Sequence, residues 1–283
     1  MCSITFILVV EDLPQKALDE LIKHDLIPKK YRHKIIGELQ VTAKNEATLK
    51  TKMVDMIDKR TMRDVEREMS AIIGQERVDL IKKSFTIETY RMNVTEKSDS
   101  LSFVHVHRKG NEFQPKRMLM SINDIHSATE LQWASLLVEL FIFVLNCAGI
   151  VIDLSGAEMR DLVQEIERLI KEWKFQEALI NFVDAWNKAG DSTWKMAKAI
   201  FSFLADVYEL NMFWTIIKLI IDDMSTWETI RALAEVSLTI VAAFATEGFA
   251  LIARIALAVD SAVHLAEKIA NLNTFSEMKK TMN

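Results

Sequence analysis

All three prolines, Pro14, Pro28 and Pro115, lie in the first 115 residues, and residues 116–283 contain none. A proline inside a helix removes a backbone hydrogen bond and clashes with the preceding turn, at about 3 kcal/mol. Long uninterrupted helices are therefore permitted in the second part of the chain and are less favoured in the first. The distribution points to two regions, with a boundary near residue 126.

Within residues 1–126 the run Ile4 to Val10 is apolar and rich in β-branched side chains, and it reads as a buried strand. No basic residue precedes it, and two acids and Pro14 follow where small residues would mark a cleavage site, so no secretory signal is expected. Pro14 fits the first turn of a helix carrying Ala17, Leu18, Leu21 and Ile22. A second helical stretch, Glu46 to Lys82, repeats Leu49, Met53, Met56 and Ile57 at helical spacing. Three runs then alternate with period two: Phe85 to Val94, Leu101 to His107 and Arg117 to Ile122, parted by the turn-forming TEKSDS and RKGNEFQP. The expectation is an α+β region with a three-stranded antiparallel meander.

For residues 127–283 the period becomes 3.6. Met159, Leu162, Val163, Ile166, Leu169, Ile170 and Trp173 form one apolar stripe, opened by Ser155 with Glu158 three residues on; Ser225 and Glu228 repeat that capping pattern. Phe175, Leu179, Phe182, Val183 and Trp186 mark the next helix, which Gly190 ends. This part reads as an all-α bundle of about six or seven helices.

Two of its segments are apolar nearly all round. A bilayer span needs about 20 apolar residues. Leu131 to Ile152 reaches that length with the single charge Glu139, whereas Glu235 to Val259 is interrupted by Glu247, Gly248 and Arg254. The second segment reads either as one helix or as two short arms meeting at Glu247-Gly248, with alanines permitting close approach. In water both segments need cover from amphipathic neighbours. Proteins that keep apolar helices inside a helical shell and expose them when it opens would use such segments. The residues expected to enter a membrane are Leu136, Phe141, Phe143, Ile240, Phe244, Glu247, Gly248, Phe249 and Ile252.

Other chemistry is thin. A net charge of −5 and a pI near 5.8 disfavour nucleic acid as a partner. Cys2 and Cys147 define no disulfide framework. His105 and His107, two apart on an expected strand, are weak metal-ligand candidates because nothing assures a third ligand. Asp222-Asp223 reads as a solvated break between helices. No phosphate-binding loop, dinucleotide fingerprint or nucleophile elbow occurs, and no cofactor is expected. The leading expectation is a membrane-active protein that forms homo-oligomers and inserts apolar helices into a lipid membrane. A non-catalytic self-assembling or partner-binding protein comes second, and an enzyme with a pocket in the bundle third.

Overall fold

The computed structural model describes residues 3–83, 91–97, 100–106, 129–149, 156–189, 192–221 and 227–261. The fold is mainly helical. The helices are α1 (Ser3–Lys23), α2 (Arg32–Met53), α3 (Met62–Ile73), α4 (Gln75–Lys83), α5 (Thr129–Ala148), α6 (Gly156–Ile170), α7 (Trp173–Ala189), α8 (Thr193–Glu209), α9 (Met212–Ile221), α10 (Trp227–Ala245) and α11 (Phe249–Ser261).

The expected α+β class is therefore wrong. Helix makes up 86% of the interpretable part, and no three-stranded meander occurs among the described residues. Among the described residues extended pairing is confined to one hairpin, β1 (Arg91–Lys97) against β2 (Ser100–Val106), in register from Arg91 opposite Val106 to Lys97 opposite Ser100. Two strands alone cannot make a stable layer. The third expected run, Arg117 to Ile122, lies outside the described residues, as does Phe85 to Tyr90. The expected strand Ile4 to Val10 is the start of α1, and Pro14 lies inside that helix rather than in its first turn. A short apolar run carries no period of its own, so its neighbours decide between strand and helix.

Local chemistry accounts for the breaks. At the end of α1, Asp25 takes a left-handed φ of 54° and the Leu26 N–H donates to the Leu21 carbonyl at 2.8 Å, a Schellman closure with leucine at both of its apolar positions. Thr61 caps α3, its hydroxyl oxygen accepting from the Asp64 N–H, and Gly74 at φ +88° separates α3 from α4. The expected single stretch from Glu46 to Lys82 is thus the end of α2 followed by two short helices. Ser192 caps α8 by accepting from the Lys195 N–H.

The buried positions of α2 (Ile35, Leu39, Thr42 with Ala43, Glu46, Leu49 and Met53) recur at helical spacing, and this stripe lies along α10. Lys34 Nζ stands 3.5 Å above the Trp227 ring, Glu38 pairs with Arg231 at 3.1 Å, and Glu46 meets Thr239 across a separation of 193 residues. The other two pairs have that same offset, so α2 and α10 run parallel and in register over about three turns. From α1 on the other side, the Ala17 carbonyl accepts a buried hydrogen bond from Ser237 Oγ at 3.0 Å. One hydrophobic cluster runs through the helices of both sequence regions.

Trp173 departs from its expected place on the apolar stripe. It begins α7 rather than ending α6, and it is 72% exposed. The spacing of the stripe carried past the true helix end at Ile170. Trp186, Trp194 and Trp214 are buried.

Candidate functional site

The apolar segment Glu235 to Val259 folds as the end of α10, a corner, and α11. The chain turns by 113° between the two helices. At the corner the Gly248 N–H donates to the Ala243 carbonyl at 2.8 Å, and Thr246 Oγ1 donates to the Ala242 carbonyl at 2.7 Å. This is a second Schellman closure, and its left-handed residue is Glu247 at φ 58°, followed by Gly248 at φ +73°. A left-handed conformation costs a side chain roughly 1–2 kcal/mol. Glu247→Gly is expected to stabilise the fold by about 1 kcal/mol, read as a higher melting temperature.

Gly248 has no such latitude. A Cβ there would lie 2.3 Å from the tip of the Phe201 ring. Gly248→Ala is expected to cost about 2 kcal/mol from overpacking and positive φ together, and Phe201→Leu in the same chain should recover part of the loss in a denaturant melt.

Beyond the corner, every residue from Ala250 to Val259 is buried. A helix covered on all sides needs few polar atoms, and α11 carries one charge in this run, Arg254, 3% exposed. It meets Glu46 of α2, also buried: Nη2 donates to Glu46 Oε1 at 2.5 Å, and Thr239 Oγ1 donates to the same oxygen at 3.2 Å. Among the described residues Arg254 Nε and Nη1 have no hydrogen-bond partner. Buried unpaired donors cost roughly 1–3 kcal/mol each, so the cluster joins α11, α10 and α2 without being an efficient source of stability.

A second corner lies beside the first. Helices α8 and α9 meet at 99°, with Asn211 left-handed at φ 59°. Phe244, at the end of α10, packs against Tyr208 with ring centroids 4.3 Å apart and also touches Phe201 and Phe213. Phe213 continues to Phe141 of α5, and Phe141 to Phe203. The two bent apolar pairs are thus interlocked through aromatic rings and anchored on α5. Around this corner burial, and then the negative charge of Glu20, hold the Tyr208 hydroxyl above its usual pKa.

Asp206 is likewise pushed up, by burial first and then by Glu209 and Glu177. A carboxylate raised in the folded state opposes folding above its folded pKa and ceases to do so as acid protonates it. Asp206→Asn should therefore raise the melting temperature slightly at neutral pH, and the gain should vanish as pH falls through the carboxylate range.

Of the residues expected to enter a membrane, Phe141, Phe143, Ile240, Gly248 and Ile252 are buried, Phe244 and Phe249 are half-buried, and Glu247 is exposed. Leu136 lies in α5, its side chain outside the description. No single described helix is long and apolar enough to cross a membrane, α5 included; the two bent pairs meet the requirement only when taken together. His105 lies in β2, and His107 is outside the described residues. Among the described residues no three His, Cys, Asp or Glu side chains gather as a metal site. The sequence reading missed Glu46, which stood in a charged stretch with nothing to separate it from solvent-facing acids; an unmatched arginine in an oily run was the available signal that a distant carboxylate must exist. Comparison of the chain with protein families, curated proteins and solved structures finds no match.

Proposed function

We propose that this protein inserts into lipid membranes, holding α10 and α11 inside a helical shell in water and releasing them at a bilayer surface. The observation that carries the reading is the buried run Ala250 to Val259, whose one charge is neutralised by Glu46 of α2. A pair of apolar helices whose corner presents Glu247 to solvent is a unit that can leave its shell corner first once the rings around Phe244 part. The α10 arm from Val236 and the α11 arm to Val259 each extend roughly 15 Å, about half the hydrocarbon thickness. Together they reach across it if the corner straightens. The aromatic interlock at Phe244 supports movement of the α8–α9 pair with the first.

The test uses vesicles loaded with a self-quenching dye, together with a fluorophore placed at the exposed corner through Glu247→Cys in a chain with its other thiols removed. The expected result is dye release accompanied by a blue shift of the corner probe. Intact vesicles and an unshifted probe, across neutral and anionic lipids and a range of pH, would sink the reading.

A second reading, self-assembly without lipid activity, is favoured by the solvent-exposed Trp173 with Ile180 two turns along the same helix. Sedimentation equilibrium showing an oligomer that Trp173→Ala dissolves, with vesicles left intact, would put it first.

A further inference from the structure

We propose that the basic segment Lys29 to Lys34, with Trp227 beside it, is the surface by which this protein docks on an anionic lipid bilayer. The inference rests on the insertion reading and names the class of lipid that reading needs. The segment reads KKYRHK, without an acid, in a chain whose net charge is −5. Lys29, Lys30, His33 and Lys34 are exposed. The charge of Arg32 is matched by Asp19 at 2.8 Å, whereas Lys29, Lys30 and Lys34 meet no carboxylate among the described residues.

The local setting concentrates the charge further. No acid stands in the first turn of α2, and its N-cap residue, Tyr31, makes no side-chain cap. Cations there face the positive end of the helix dipole, an arrangement that opposes helix stability. Two aromatic rings complete the surface. Lys30 Nζ lies 5.0 Å from the Tyr31 ring centre and Lys34 Nζ 3.5 Å from that of Trp227, and the two rings are 5.5 Å apart.

These rings distinguish a bilayer from a nucleic acid. Base stacking needs an open aromatic face, whereas Trp227 is covered by Lys34 on a face and approached by Tyr31. A headgroup layer needs clustered lysines for its phosphates and half-buried amphipathic rings at its depth, and both are present. Trp227 is also the first residue of α10, so the docking surface lies at one end of that helix and the corner at the other, about 28 Å away, and docking with α10 along the bilayer surface brings both to it.

The test is co-sedimentation of the full chain with phosphatidylcholine vesicles, with and without phosphatidylglycerol, at low and raised salt. Its variants are Lys29→Gln/Lys30→Gln/Lys34→Gln and the same three sites changed to Arg. The wild type should sediment with anionic vesicles only and be released by salt. The Gln variant should bind on the order of a hundredfold more weakly, and the Arg variant should bind like wild type. Cooperative thermal melts within a few degrees of the wild type will show that both variants fold, since all three sites are exposed and, in the Gln variant, relief of the cations at the start of α2 opposes the loss of the Lys34–Trp227 contact. Equal binding by the Gln variant, or equal binding of the wild type to neutral vesicles, overturns the proposal. So does a wild type that ignores vesicles yet binds an oligonucleotide through these lysines. Lysine-dependent binding without dye release leaves the docking surface standing and removes the insertion reading; dye release undiminished in the Gln variant does the reverse.

Discussion

Arg254→Met is expected to lower the melting temperature by roughly ten degrees, while Glu46→Met/Arg254→Met should melt at or above the wild type. The single change leaves the Glu46 carboxylate buried with Thr239 Oγ1 as its remaining donor at this cluster. Breaking one side of a buried pair costs about 3–5 kcal/mol, and each kcal/mol moves the transition of a chain this size by about 2–4 °C. The double change removes both charges together with the unpartnered Nε and Nη1 donors. Apolar replacement of a whole buried pair is commonly neutral or stabilising. Thr239 loses its acceptor, but a helical threonine can turn its hydroxyl to the carbonyl one turn back. Under the insertion reading the single variant should also release dye faster, because its shell is weaker and α11 no longer carries a charge costing about 2.5–3.5 kcal/mol at bilayer depth. A single variant as stable as the double would show that the pair does not close the shell.

Phe203→Ala is expected to cost about 3–5 kcal/mol, as much as the broken ion pair but by a different route. Phe203 is 1% exposed, and its ring meets Phe141, Phe175 and Phe182 at centroid distances of 6.4, 5.9 and 5.2 Å. Truncation leaves a ring-sized void bounded by side chains of α5 and α7, which are held by their own helices and cannot collapse into it. Phe203→Leu should cost well under half as much, because it fills most of the space. Denaturant melts of the two variants measure the difference. Phe203→Ala should also hasten dye release if the α8–α9 pair moves with α10–α11. An equal loss of stability with unchanged release would confine the moving part to α10 and α11.

Much of the second region was legible, and the reason is periodicity. Leu162, Val163 and Ile166 are buried on α6, as Phe175, Leu179, Phe182 and Trp186 are on α7, because a 3.6-residue repeat leaves an amphipathic helix one way to face a core. The first region misled at short segments: the run from Ile4 fits a strand and a helix equally, and only the continuation through Leu13, Ala17 and Leu18 joins it to α1. Alternation in the runs after residue 84 said nothing about how many strands would pair. At the candidate site, the break at Glu247-Gly248 was visible as a choice between one helix and two, and the hydrogen bond from Gly248 to Ala243 settles it. Glu46 was invisible because the need for a counter-charge can be read from Arg254, while the position that supplies it depends on tertiary packing.

The pairing of Glu46 with Arg254 spans 208 residues and has a temporal consequence. A ribosome adding about 5–20 residues per second needs roughly 10–40 s to proceed from one to the other. During that interval α2 is made and its carboxylate waits; the guanidinium and the oily helix around it emerge only after α2 and the helices between the two, when the elements that cover α11 have already been synthesised. Reversing that order, by circular permutation that places α10 and α11 ahead of α1, would expose the same helices nascent and uncovered, and would favour aggregation or capture by chaperones during synthesis.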